Sequence, residues 1–143
     1  MNLEEIQTLW EEDSQIDSDN LHLESLKIPQ LHAKYYNIYN NITLLKKRTI
    51  QDLNKLKKDR HEYYSGKGSQ EVYEKEPFPF KVRDKESMTR YMDSDEELSR
   101  IHLKTAYQDS MLRYLEDIIK SIHNRTYQIK NAIEFMKFTA GYE

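Results

Sequence analysis

The residues best placed to do chemistry lie in one short window, Lys55 to Gly68. It holds Lys55, Lys57, Lys58, Arg60, Tyr63, Tyr64 and Lys67. Lysine and arginine neutralise backbone phosphates, with an affinity that falls as salt rises. Tyrosine faces accept stacked bases without regard to which base. Two adjacent tyrosines directly after a basic cluster, followed by Ser65-Gly66-Lys67-Gly68-Ser69, therefore bring together both ingredients of single-strand binding. A plainer reading stands beside it. Cations near a helix C-terminus are favourable in themselves, and in a chain with 11 tyrosines Tyr63 and Tyr64 serve equally well as packing residues.

The charge map sharpens the contrast. The net charge of the 143 residues is only −3, from 22 Lys and Arg against 25 Asp and Glu. Residues 1–24 nevertheless hold Glu4, Glu5, Glu11, Glu12, Asp13, Asp17, Asp19 and Glu24 with no Lys or Arg, whereas residues 46–68 are strongly basic. Such block asymmetry fits a polyanion site beside an acidic surface, or simply two solvated helix faces of opposite sign.

Other chemistries lack their residues. The absence of cysteine removes disulfide scaffolds, thiol catalysis and Cys-based zinc sites. His22, His32, His61, His102 and His123 include no pair three or four apart, so no helical two-ligand metal site is expected. The glycine loop lacks the upstream Gly and the Lys-Ser/Thr pair of a triphosphate cradle. Asp17-Ser18-Asp19 and Asp93-Ser94-Asp95 begin like calcium loops but lack the central Gly and the closing Glu. The expectation is a protein without catalytic activity, metal or cofactor. Met1 to Trp10 has no basic flank leading into an apolar run, and no stretch is long and apolar enough to span a membrane, so a cytoplasmic protein is expected.

The elements that must position the window are helices. Three Gly and three Pro leave little turn chemistry for sheets, and a mean hydropathy of −0.96 leaves little core per residue. Leu3, Ile6, Leu9 and Trp10 predict a short amphipathic helix, followed by a break over Asp13–Asp19 and an N-cap at Ser18 or Asp19. Pro29 predicts a kink or restart. Beyond it Ile28, Leu31, Tyr35, Ile38, Ile42 and Leu45 form a heptad-type seam, and a weaker stripe runs on to about Tyr64. Gly66 is the natural left-handed residue after that helix. Residues 70–93 are expected to be a polar connector, extended around Pro77-Phe78-Pro79-Phe80. Ser94 to Glu97 predicts a capping box with Ser94 at the cap. A final helix then carries Leu98, Ile101, Leu112, Leu115, Ile119, Ile122, Ile129, Ile133 and Met136 in one seam. Met111, Ile118, Ala132, Phe135 and Phe138 widen it beyond what one partner helix covers, which favours burial between identical subunits. The fold class is all-α, with long coiled-coil-like helices. The expected organisation is a single-strand-binding region 1–69, a connector 70–93 and an oligomerisation region 94–143.

One window resembles a known family. Leu56-Lys57-Lys58-Asp59-Arg60-His61-Glu62-Tyr63-Tyr64-Ser65-Gly66-Lys67-Gly68 is similar to the signature of the UvsY recombination mediators of T4-type bacteriophages. The N-terminal Met1–Gln7, Ile16-Asp17-Ser18 and the C-terminal Ala132–Gly141 extend the likeness to both ends. Lys67 stands where the family has Arg, Pro29 interrupts the second helix, and residues 70–93 are poorly matched. The resemblance implies a non-enzymatic, all-helical protein that forms a homo-heptameric ring through its C-terminal helix, with Leu112, Leu115, Ile119, Ile122, Ile129, Ile133 and Met136 in the contact. It further implies binding of single-stranded DNA, with Lys58 and Arg60 at the basic contact positions. Its partners would be a UvsX-type recombinase and the phage single-stranded-DNA-binding protein, in the cytoplasm of the infected host. The expected role is remodelling coated strands so that the recombinase filament nucleates in recombination, repair and replication. The competing expectation is a coiled-coil structural adaptor that binds no DNA.

Overall fold

A computed structural model describes residues 1–141. Six helices follow in order: α1 (Leu3–Asp13), α2 (Leu21–Leu26), α3 (Ile28–Tyr64), α4 (Gln70–Lys75), α5 (Lys85–Asp93) and α6 (Glu96–Thr139). Among the described residues there is no strand. The chain folds as two compact units, one made of residues 1–43 with the stretch from Ser110 onward, the other of Leu44–Asp109. Helices α3 and α6 contribute to both.

The first unit is aliphatic at its centre. Asn2 caps α1, its side chain accepting from the Glu5 N–H at 2.8 Å, and Glu4 and Glu5 lie in the first turn, where the helix dipole favours acids. The helix presents Ile6, which is wholly buried with Tyr35, Ile42, Met111, Leu115, Ile118 and Ile122. Each such side chain contributes roughly 1.5–3 kcal/mol when removed from water. Trp10 meets the Tyr35 ring edge-on at 5.4 Å. The break after α1 is longer than expected. Asp17 accepts from the Asp19 N–H and from the Asn20 amide, so α2 begins one residue later, with Asn20 rather than Ser18 or Asp19 at its N-cap. Pro29 restarts the helix as expected. It sits in the first turn of α3, where its missing N–H has no intrahelical partner to lose.

The second unit has an aromatic centre. Tyr63, Tyr64 and Val82 are buried there with Tyr73, Phe78, Met88, Tyr91 and Met92 packed around them. Helix α3 ends at Tyr64, and Gly66 takes the left-handed conformation (φ +83°) that closes it. The expected connector holds two short helices, α4 and α5, with Pro77–Phe80 non-helical between them as the prolines require. The cap of α6 falls one residue beyond its expected place. Asp95 accepts from the Leu98 N–H at 2.9 Å, while the Ser94 hydroxyl donates back to the Arg90 carbonyl at 2.8 Å and closes α5.

Candidate functional site

The last turns of α3 divide the window by helical geometry. Residues on the outer faces, Lys55, Lys57 and Lys58, are exposed, and so is Lys67 in the glycine loop. Arg60, Tyr63 and Tyr64 face inward, with relative exposures of 8%, 3% and 8%. The structure therefore places four lysines at the surface and the remaining three residues beneath it.

Arg60 is fully engaged where it lies. Its Nε donates to Asp95 Oδ2 at 2.6 Å. Nη1 and Nη2 donate to the two Glu76 carboxylate oxygens at 3.2 Å each, a bidentate fork. Nη2 also donates to the Tyr64 hydroxyl at 3.3 Å, and that hydroxyl donates in turn to Asp95 Oδ2 at 2.6 Å. The guanidinium carbon lies over the Tyr63 ring at 4.3 Å and the Tyr64 ring at 5.1 Å. Burial opposes the charges, yet the hydrogen bonds overcome it on both sides. Arg60 is held above its ordinary value by Glu76, Tyr64 and Asp95. The Asp95 carboxyl is held below the usual range by Tyr64, the Leu98 N–H and Arg60. Burial and the hydrogen bond to Asp95 push the Tyr64 phenol up to about 12.

The same cluster fixes the glycine loop. The Tyr73 hydroxyl donates to the Tyr63 carbonyl at 2.7 Å and accepts from the Gly68 N–H at 3.1 Å. The Tyr63 hydroxyl donates to the Glu76 carbonyl at 2.9 Å. Arg60, Tyr63 and Tyr64 thus tie α3 to α4, the following loop and the start of α6, and that framework presents the lysines. Glu76 and Tyr73 carry no signal in the sequence, and Asp95 stands there only within a helix-start motif. Their separations from Arg60 and Tyr63 along the chain give no local signal.

The seam residues of α6 are also divided. Leu115, Ile122 and Ile129 are buried within the chain's own first unit, and Leu112, Ile119 and Ile133 are half-buried. Much of the seam expected to lie between subunits is therefore covered by Ile6, Tyr35 and Ile42 of the same chain. Met136 remains exposed, alongside Phe135 and Phe138 at 67% and 79%. Among the described residues no group of three or more His, Asp or Glu side chains is placed to hold a metal, and no helix is long and apolar enough to cross a membrane.

Comparison with known proteins places this arrangement. The model of the family "Recombination, repair and ssDNA binding protein UvsY" matches residues 9–142. The chain is 24% identical over 141 residues to the recombination protein UvsY of Enterobacteria phage T4, covering 99% of each. Its fold is similar to crystal structures of the bacteriophage T4 recombination mediator protein UvsY. The lattice type II structure gives a TM-score of 0.83 at 24% identity over 98% of both chains. The lattice type IV structure gives 0.82 at 22% identity, over 97% of this chain and 99% of that one. With a family model spanning nearly its whole length and the matching helical architecture, this chain belongs to the UvsY family.

Proposed function

We propose that the protein is a non-enzymatic recombination mediator that binds single-stranded DNA. It remodels strands coated by the phage single-stranded-DNA-binding protein and helps a UvsX-type recombinase nucleate its filament, in recombination, repair and replication within the host cytoplasm. The observation that carries this reading is the row of exposed lysines, Lys55, Lys57 and Lys58, leading into Lys67 on a loop braced by Tyr73. Family membership supports the DNA class of ligand. In this reading the lysines meet phosphates, while Arg60, Tyr63 and Tyr64 hold the surface that presents them.

One subunit offers a modest patch. A ring, proposed here to be a heptamer joined near the exposed Phe135, Met136 and Phe138, repeats it. A flexible strand then engages several patches at once, and effective concentration supplies the avidity. The acidic α1 serves in this scheme as a docking surface for protein partners, or as a screen against indiscriminate binding.

The test is fluorescence anisotropy of a labelled oligonucleotide across a salt series, with native mass measured in parallel. Wild type should bind as an oligomer. Replacing Lys55, Lys57 and Lys58 together by Ala should weaken binding and flatten the log–log salt slope by about 0.7 per lost phosphate contact. Single chains in solution, or indifference to oligonucleotide in dilute buffer, would sink the reading in favour of a structural adaptor.

A further inference from the structure

The segment after the prolines belongs to the expected connector, yet its side chains are arranged for contact. Val82 anchors it: the Val82 N–H donates to the Tyr64 carbonyl at 2.9 Å, and its side chain is buried in the aromatic cluster. Neighbours on an extended chain point to opposite sides. With Val82 inward, its neighbours Lys81 and Arg83 are both exposed on this non-helical segment. Lys81 lies across Gly66 so closely that a Cβ there would meet its Cγ at 2.8 Å. Phe80 is 61% exposed and rests edge-on against Phe78 at 5.8 Å. An aromatic face thus stands in solvent on a braced support, next to two cations.

Beside this segment is an open cleft of about 600 Å³. Val82, Met88 and Met92 supply an apolar lining, and Lys67, Arg83, Lys85 and His61 bring basic groups to it. Two carboxylates share the cleft. Asp84 is committed to capping α5, accepting from the Ser87 N–H at 2.9 Å, and Asp93 is exposed. Among the described residues Lys67, Lys81, Arg83 and Lys85 make no ion pair. Unpaired cations would serve any polyanion. The exposed ring and the methionine-lined cleft favour one that also carries flat apolar groups.

We infer that Phe80–Lys85 is a second single-strand contact, in which a base stacks on Phe80 while Lys81, Arg83, Lys85 and Lys67 take neighbouring phosphates. The inference rests on the single-strand reading above and extends the strand's path beyond α3. It also supplies the aromatic platform that the burial of Tyr63 and Tyr64 removes from the surface.

The experiment uses the full chain with fluorescein-labelled oligothymidylate. Lys81→Ala/Arg83→Ala/Lys85→Ala should weaken binding at least tenfold and flatten the salt slope by about 2, at about 0.7 per contact. Phe80→Ala should weaken it by about tenfold with the slope unchanged. Phe80→Trp keeps an exposed stacking face and should add an emission component that oligothymidylate quenches. Unquenched emission there overturns the inference even if the triple variant folds poorly. Equal displacement of the oligonucleotide by polyglutamate and by unlabelled oligothymidylate would overturn the stacking role and leave a generic anion surface. If the triple variant binds like wild type while the Lys55/Lys57/Lys58 variant does not, this inference falls and the proposed function stands. If wild type binds no oligonucleotide, both fall.

Discussion

Arg125 in the first unit and Arg60 in the second are both buried, and each joins segments distant in sequence, but they do so with different acceptors. Arg125, 3% exposed, donates to the backbone carbonyls of Asp13 and Gln15 at 3.0 and 2.8 Å. The Glu24 carboxylate is farther, at 3.5 Å, and has Lys27 as a second partner at 3.0 Å. Arg60 works through two carboxylates, a phenol and two ring faces. Arg125 pins the α1–α2 linker against an aliphatic core with mainly uncharged acceptors. Arg60 is one member of a charged network in which removing the guanidinium leaves the buried Asp95 carboxylate without its cation. The lesson is that two arginines of similar burial carry different sensitivities, set by what they bind.

The chain offers separate probes for the two units. Trp10, its one tryptophan, lies in the first unit against Tyr35, whereas tyrosines fall in both units, so the second is read by amide hydrogen exchange over residues 60–92. The largest effect is expected from Arg60→Ala. It leaves Asp95 as a buried, unpaired charge at a cost of about 3–5 kcal/mol, and amide protection over residues 60–92 should be lost at lower urea than Trp10 emission. Coincident transitions at the wild-type midpoint would break the comparison. Arg125→Ala should cost less, about 1–3 kcal/mol, because it strands neutral carbonyls and Glu24 retains Lys27. Here Trp10 emission should move first.

Acid should act through Asp95. A carboxyl held below its unfolded value, about 3.9, contributes stability above that value and loses it as pH falls through the lower folded value. The urea midpoint read by amide exchange over residues 60–92 should therefore fall as pH drops below about 4, and Asp95→Asn should flatten that limb. A variant profile parallel to wild type would assign the acid response elsewhere, such as to Asp13, which Lys34 and Tyr35 also hold low against the cost of burial. The smallest stability effect belongs to Lys58→Ala. An exposed lysine without an ion pair should change unfolding by no more than about 0.5 kcal/mol, while its loss still flattens the salt dependence of oligonucleotide binding. A large loss of stability would contradict its placement outside the Arg60 network.

Much of the helical layout was legible because its signals are local. The 3.6-residue stripes, Pro29 and Gly66 each act within a turn or two of chain. The cap of α6 was misplaced by one residue because Ser94 and Asp95 are both competent caps, and the bond from Ser94 to Arg90 decides between them. The window at the end of α3 was legible as a location but not as a surface. Whether Arg60 meets solvent depends on Glu76 and Asp95, which no spacing rule brings together with it. The seam of α6 likewise announces that Leu115, Ile122 and Ile129 will be covered. It does not say by whom, and within the chain Ile6, Tyr35 and Ile42 pack with Leu115 and Ile122.

The discontinuous make-up of the first unit sets an order of events during synthesis. Residues 44–109 leave the ribosome as one uninterrupted block, so the aromatic unit has every residue it needs while the ribosome is still translating. Ile6, Tyr35 and Ile42 emerge earlier but must wait for Leu115, Ile118 and Ile122, which follow that block. Until then the nascent chain carries an uncovered greasy stripe, so the unit that starts first is completed after the one it surrounds in sequence.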